Sequence, residues 1–331
     1  WSVAFRDPAG QLTVAALYGN KDKVNYAGKR VWMHNAKYDI RELARVGMTV
    51  PENVMDTMIA AYCMGLGRQG TSDTGKSGDQ MVGGLGLKYL ARRQLGMTMK
   101  TWEEIKNAPQ EEKVEYNASD SIGTLLLAEK WTPVLPKHFW TIDMPLLSVL
   151  MKMEDRGIMV APDFLNKYAV ELDTEIAQID LPKPEGGKIN PFSTKDVSDY
   201  IYGTLGTPQT KFTETKKPSV ASEVLETIDD PIVRGILRYR ELWKEKKTYV
   251  SNYTKGLDFD NRIHCEFKQT STATGRLSAV RPNLQNVSKG TLRQLFIAKP
   301  GHLLVVSDYR QLEFIFLAVI AGEQSMIDYY L

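Results

Sequence analysis

The sequence predicts an α/β protein of more than one domain, on three observations: its length, a strand–turn–strand opening that gives way to helical spacing, and a pair of prolines partway along that breaks the chain. Its 331 residues, 43% hydrophobic and 25% charged, have an ordinary globular composition. That excludes a disordered, collagen-like or coiled-coil protein as the overall description. At about 100–200 residues per domain, two or three domains fit. Apolar runs such as Phe314 to Ala321 are far shorter than the roughly 20 residues of a membrane-spanning helix. The N-terminus carries no signal-peptide pattern, so a cytoplasmic protein without a membrane partner is expected.

Residues 2–6 and 11–18 flank Asp7-Pro8-Ala9-Gly10, a turn signal between two apolar-rich runs, and predict a β-hairpin. The chain opens Trp1-Ser2-Val3 inside this alternation and stops at Tyr329-Tyr330-Leu331 inside an apolar helical pattern, so both ends are expected to be cut. Helical spacing follows over Asp39 to Val46 and Asp56 to Leu66. The stretch Gly67 to Gly84, rich in glycine and poor in apolar residues, reads as a mobile loop. Helices resume at Leu85 to Leu95 and Gln110 to Lys130, and Pro133 and Pro136 mark the first boundary.

Beyond it, Met144 to Met153 reads as helix and Gly157 to Val160 as extended chain. Asp163 to Ile179 is an amphipathic helix with Phe164, Leu165, Tyr168, Leu172, Ile176 and Ile179 on one face. A linker at Pro182 to Gly187 and a polar segment at Thr207 to Pro218 precede a long helix from about Pro231 to Tyr253. From Arg262 the pattern is strand-like, then a polar Ser/Thr/Asn loop. The run Leu303 to Val306 is expected as a buried strand ending in Asp308, with Leu312, Ile315, Phe316, Val319 and Ile320 as the core face of the next helix.

The net charge of +2 hides an uneven distribution. Between Arg234 and Lys255, the basic residues Arg234, Arg238, Arg240, Lys244, Lys246, Lys247 and Lys255 stand against only Glu241 and Glu245. Arg262, Lys268, Arg276, Arg281, Lys289 and Arg293 face only Glu266 in the stretch that follows. Two such stretches in a row read either as a polyanion footprint or as a solvated basic face. Cys63 and Cys265, the two cysteines, make neither a disulfide framework nor a four-ligand zinc site, and four histidines form no visible His-rich metal cluster.

Gly70-Thr71-Ser72-Asp73-Thr74-Gly75-Lys76-Ser77 spells G-x-x-x-x-G-K-[ST], the phosphate-binding loop. That loop works only between a buried strand and a helix that aim N–H groups at phosphate. The glycine-rich flanks here supply neither, so a connector is expected. His34-Asn35-Ala36-Lys37-Tyr38-Asp39 sets a carboxylate at a helix start, and Tyr116-Asn117-Ala118-Ser119-Asp120 sets a phenol and a carboxylate at i and i+4. Carboxylates from separate helices with a phenol beside them suit two-metal phosphodiester chemistry, with cations ~4 Å apart. Helix capping by Asp39 and plain exposure of Asp120 are the alternative.

In order and context, Asn35, Tyr38 and Asp39, then Asp56-Thr57-Met58, Gly86-Leu87-Lys88-Tyr89-Leu90-Ala91 and Tyr116 to Asp120 resemble the second and third motifs of the 3′→5′ proofreading exonuclease domain of family A DNA polymerases. The resemblance implies a ribonuclease H-like domain in which Asp39 and Asp120 ligate metal, Tyr116 orients the attacking water and Asn35 holds the frayed primer strand. The family's first motif, D-x-E on a strand, is not found, since residues 1–30 contain only Asp7 and Asp22. Asp173-Thr174-Glu175 spells it, but on a helix i and i+2 diverge by about 200°.

Thr274-Gly275-Arg276-Leu277-Ser278, Pro282-Asn283-Leu284-Gln285-Asn286 and Asp308-Tyr309-Arg310-Gln311-Leu312-Glu313 resemble the family's palm, including its motif A. The resemblance implies a catalytic Mg²⁺ site at Asp308, with two ions per active site in a complete enzyme. It implies nucleotide contacts from Tyr309, Gln311 and Glu313, the last as the steric gate against a ribose 2′-OH. Arg276, Asn283, Gln285, Asn286, Arg293, Lys246 and Lys247 are implied to contact primer-template DNA, the first three of them at its backbone and at the edge of a minor groove that offers an acceptor on every base pair. The helix carrying Tyr239, Trp243 and Tyr249 corresponds to the thumb that grips the duplex. Arg310 and Ile315 depart from the usual motif A, which carries serine and arginine there.

The expected organisation is therefore an exonuclease domain at 1–133, a linker and start of palm at 134–162, a helical thumb at 163–258 and a palm through motif A at 259–331: a partial right-hand polymerase, lacking the fingers and the second palm carboxylate. The expected function is addition of dNTPs to a primer 3′ end in DNA replication or repair, with the 331 residues alone doing neither reaction efficiently. A processivity factor stays open. A non-catalytic DNA-binding module and a nucleoside triphosphatase using Lys76 are the rivals.

Overall fold

A computed structural model describes residues 2–16, 24–67, 84–209, 211–213, 216–287 and 290–330. The glycine-rich stretch with Lys76, apart from its end residues Gly67 and Gly84, and Lys289 lie outside the described residues.

The expected hairpin forms: β1 (Ser2–Arg6) and β2 (Leu12–Ala16) pair antiparallel, Ser2 opposite Ala16 and Arg6 opposite Leu12. Gly10, at φ 81°, closes the turn with its N–H on the Asp7 carbonyl at 2.9 Å. A βαβ unit follows, in which β3 (Val31–Met33) and β4 (Val54–Asp56) are parallel neighbours joined through α1 (Ala36–Arg45). Asp56 caps α2 (Thr57–Cys63). Then come α3 (Leu87–Leu95), ended by left-handed Gly96, the short α4 (Trp102–Ile105) with a Thr101/Glu104 capping box, and α5 (Gln110–Trp131), 22 residues long. Helix α5 carries the hairpin, with Ser2 Oγ donating to the Asn117 carbonyl at 2.6 Å and Arg6 pairing with Glu129 at 2.7 Å.

A π-helical turn (Phe139–Asp143) leads into α6 (Met144–Arg156). The first core gathers Met58 to Tyr62, Leu90, Leu127 and Trp131, and also Phe139, Met144 and Leu147 from beyond the two prolines.

After α6, β5 (Ile158–Met159) leads to α7 (Pro162–Gln178), α8 (Thr194–Ser198), α9 (Ser222–Leu225) and α10 (Pro231–Glu245). Asp230 caps α10 through the N–H groups of Ile232 and Val233, and Pro231 sits at its first position, where a missing N–H costs nothing. The long helix forms as expected, running through a π segment at Lys246–Val250 into α11 (Ser251–Gly256). Asp173 and Glu175 lie on α7, where they pair with Lys246 and Arg238 instead of facing one ion. Arg234 also finds a carboxylate, Asp229. The basic helix is thus partly neutralised by acids packed around it, as the solvated-face reading expects, while Lys244 and Lys247 stay exposed.

The last part holds β6 (Arg262–Ile263), antiparallel to β5, and the hairpin β7 (Glu266–Lys268) with β8 (Ser278–Val280). Lys268 and Arg281 both pair with Glu266. Here one expectation fails. The run Leu303 to Val306 is not a buried strand: it is irregular, and Leu303, Val305 and Val306 are about nine-tenths exposed. An apolar run becomes a strand only beside another strand, and no strand pairs with it among the described residues. The expected core face of α12 (Leu312–Ala321) fails with it, since Leu312, Phe316, Val319 and Ile320 are exposed and only Ala318 is buried. Helix α13 (Gln324–Tyr330) ends the described chain. No helix among the described residues is long and apolar enough to cross a membrane.

Candidate active sites

Because β3 and β4 are parallel neighbours, α1 and α2 start side by side, and one carboxylate ties their starts together. Asp56 accepts from the N–H groups of Asn35 (3.2 Å) and Ala36 (2.8 Å) at α1 and of Met58 (2.7 Å) at α2. These are donors that a helix start leaves without intrahelical partners. Asn35 sits at φ 65° in the left-handed region, which asparagine tolerates better than most residues. Beside it, partly buried His34 is pushed down to about 4 by desolvation, and its Nδ1 lies 2.9 Å from Thr57 Oγ1.

Asp39, in the first turn of α1, is pushed up to about 7, first by burial and then by the charges of Asp56 and Asp120. Asp120 comes from α5, so separate helices bring the two expected carboxylates into one field. Burial raises the Asp120 carboxyl too, against hydrogen bonds from Lys88 and Tyr116 that favour its charged form. The i, i+4 spacing of Tyr116 and Asp120 therefore does what it predicts. Lys88, from α3, bonds the Asp120 carboxylate and rests its Nζ 4.2 Å above the centre of the Tyr116 ring. Tyr116 in turn stands edge-on to Trp102. Oxygen donors whose burial, and after it their mutual repulsion, lifts one pKa to neutrality fit a hard divalent cation, which relieves both.

In the palm-like part, Arg276 pairs with Glu313 across 37 residues of chain, joining an expected DNA contact to an expected nucleotide contact. Asn283 Oδ1 accepts the Gln285 N–H at 2.9 Å, and Gln285 Nε2 donates to the Leu277 carbonyl at 3.1 Å. Tyr249 of the π segment donates its hydroxyl to the Asn286 carbonyl. Arg293 is exposed on a 3₁₀ turn, Lys247 is exposed, and Lys246 is engaged by Asp173. Asp308 and Tyr309 are exposed on the irregular segment, and Gln311, at φ 50°, precedes α12.

The family model described as DNA polymerase family A matches residues 162–331, and that described as 3'-5' exonuclease matches residues 20–136. The chain belongs to DNA polymerase family A. This family A chain is 30% identical over 97% of its length to DNA polymerase I of Chloroflexus aurantiacus and covers 35% of that protein. It is 33% identical over 90% of its length to DNA polymerase I of Synechocystis sp., covering 31%. It therefore spans about a third of the length of these curated relatives. Among solved structures, the polymerase domain of Pol1 from M. smegmatis, in complex with DNA primer-template and dNTP, superposes with a TM-score of 0.67 at 26% identity over 88% of this chain and 49% of that one. Family A polymerases and their exonucleases are generally metal-dependent.

Sequence reasoning gave no role to two residues that the fold puts at the centre of the family A chain's exonuclease-like site. Lys88 lay in a quoted motif within a helical pattern, with nothing local to mark it out. Asp56 carried the signal that finds it, a carboxylate at the junction of an apolar run and a helix.

Proposed function

We propose that the protein containing this chain is a DNA-directed DNA polymerase with a 3′→5′ proofreading exonuclease, adding dNTPs to a primer 3′ end in replication or repair. The carboxylate cluster of Asp39, Asp56 and Asp120 beside Tyr116 carries the reading, in a chain whose other half matches the polymerase family. The exonuclease domain is residues 1–133, the linker and start of palm 134–162, the thumb 163–258 and the palm through motif A 259–331.

In the exonuclease, Asn35 positions the frayed primer end and Tyr116 orients the attacking water. Asp39 and Asp120 would hold Mg²⁺, and in the palm Asp308 would; such ions polarise phosphoryl oxygens and lower the pKa of an attacking hydroxyl. Tyr309, Gln311 and Glu313 line the nucleotide, with Glu313 excluding a ribose 2′-OH. Arg276, Asn283, Gln285, Asn286 and Arg293 follow the primer-template duplex, and Lys246 and Lys247 neutralise its backbone. Lys246 exchanges Asp173 for phosphate as DNA binds, which makes binding salt-dependent.

The test uses the full-length protein with a labelled primer-template. Asp308→Ala is expected to abolish extension and spare 3′→5′ degradation, and Asp39→Ala to do the reverse. Extension by Asp308→Ala at the unmutated rate overturns the polymerase assignment. A full-length protein that binds duplex DNA and catalyses neither reaction establishes the binding-module reading.

A further inference from the structure

Away from the carboxylate cluster, a sulfur, a nitrogen and an oxygen converge where α2 meets the turn that leads into α6. Cys63 is the last residue of α2 and is partly buried. His138 and Asp143 bracket the π-helical turn at Phe139–Asp143. In an ordinary α-helix residues five apart fall on different faces, whereas the i→i+5 bonding of a π turn brings them side by side. His138 Nδ1 accordingly lies 2.8 Å from Asp143 Oδ2, and the Cys63 Sγ completes a set of donor atoms all within 4.8 Å of one another. No other group of three such donors occurs among the described residues.

The scaffold under this trio is rigid. Phe139 is fully buried, lies parallel to Trp32 with ring centres 6.0 Å apart, and takes Trp140 edge-on at 4.8 Å. The Asp143 carbonyl accepts Gln269 Nε2 at 2.9 Å, which fixes the end of the turn from the β7–β8 loop. The donors are therefore held near one another by packing before any ligand arrives, so binding forfeits little conformational freedom.

We propose that Cys63, His138 and Asp143 form a binding site for a zinc-class divalent cation, distinct from the carboxylate sites of either reaction. The donor set selects the ion: one thiolate, one imidazole and one carboxylate suit borderline-soft Zn²⁺, while hard Mg²⁺ takes oxygen. Zinc bond lengths of about 2.0–2.3 Å place tetrahedral donors roughly 3.4–3.6 Å apart, so small rotations that draw Cys63 in and part His138 from Asp143 admit the ion. Binding displaces the Cys63 thiol proton and any proton shared between His138 and Asp143. The His138 side chain is 50% exposed, leaving the fourth position to water. The ion clips the end of an exonuclease-side helix to the turn feeding α6.

The test uses full-length protein stripped of metal and titrated with Co²⁺ in excess Mg²⁺, which keeps the carboxylate sites occupied. The expected result is one Co²⁺ per chain with a near-ultraviolet sulfur-to-cobalt charge-transfer band, displaced by Zn²⁺. The band is expected to be lost in Cys63→Ser, weakened in His138→Ala and unchanged in Asp39→Ala. Circular dichroism on each variant verifies the fold. A folded wild-type protein without the sulfur band, or a band that survives in Cys63→Ser and so arises at another cysteine, overturns the proposal.

Discussion

Lys37 of α1 and Glu154 of α6 form a buried ion pair, with Nζ 2.6 Å from Oε1. The same oxygen accepts the Phe267 N–H at 2.6 Å, Arg41 holds the other at 2.7 Å, and Lys37 also donates to the Phe267 carbonyl at 2.8 Å. Lys37 sits two residues before Asp39, so the helix bearing a proposed metal ligand is bolted to the β7–β8 hairpin. Removing one member of a buried pair strands the other's charge. Glu154→Ala is expected to destabilise the protein by about 3–5 kcal/mol, read from urea unfolding. Lys37→Met is expected to cost less, because Arg41 still meets Glu154.

Lys88 offers a test confined to the exonuclease. It joins Asp120 and caps the Tyr116 ring, so its loss loosens two groups without touching residues 162–331, which match the polymerase family. Lys88→Met is expected to slow 3′→5′ degradation about 10–100-fold, the usual cost of removing a group that orients a ligand, with primer extension unchanged. Equal loss of both activities would point to general destabilisation.

Asn35 separates backbone from side chain. At φ 65° an alanine is strained and a glycine is not. Asn35→Ala is expected to be about 1 kcal/mol less stable than Asn35→Gly in denaturant unfolding. Both are expected to lose grip on a frayed primer end.

His264 makes a pH-dependent tie between α6 and the strand region. Burial disfavours its charged ring, but the Glu154 carbonyl at Nδ1 (2.7 Å) and the Asp258 carboxylate at Nε2 (2.8 Å) prevail, and its pKa is raised above 6.5 despite nearby Arg262. Its stabilisation is therefore complete below the unfolded pKa and fades as pH rises through the folded one. The melting-temperature gap between wild type and His264→Gln is expected to narrow between about pH 6 and pH 8. A gap independent of pH refutes this.

Helices were legible wherever the signal was local. The Asp230-Pro231 start, the Asp7 to Gly10 turn and the apolar face around Leu165 and Leu172 each declare themselves within a few residues. Asp39 and Asp120 were reached through motif order as much as chemistry. Glu154 was hidden because Met153-Glu154-Asp155-Arg156 reads as a wet helix end, while its partners lie more than a hundred residues away. Cys63, His138 and Asp143 converge through a π turn that no periodicity announces. Leu303 to Val306 misled for the converse reason, since apolar spacing marks a capacity to be buried and says nothing about whether a neighbour is present.

The first core has a practical corollary for dissecting the protein. Phe139, Met144 and Leu147 fill the space against Trp32, Met58 and Trp131 from beyond Pro133 and Pro136. A protease cut or an engineered stop at those prolines removes three large side chains and leaves aromatic surface open to water. A piece that keeps this core closed therefore extends at least through Leu147, and trimming it to the proline boundary yields a sticky, half-lined shell.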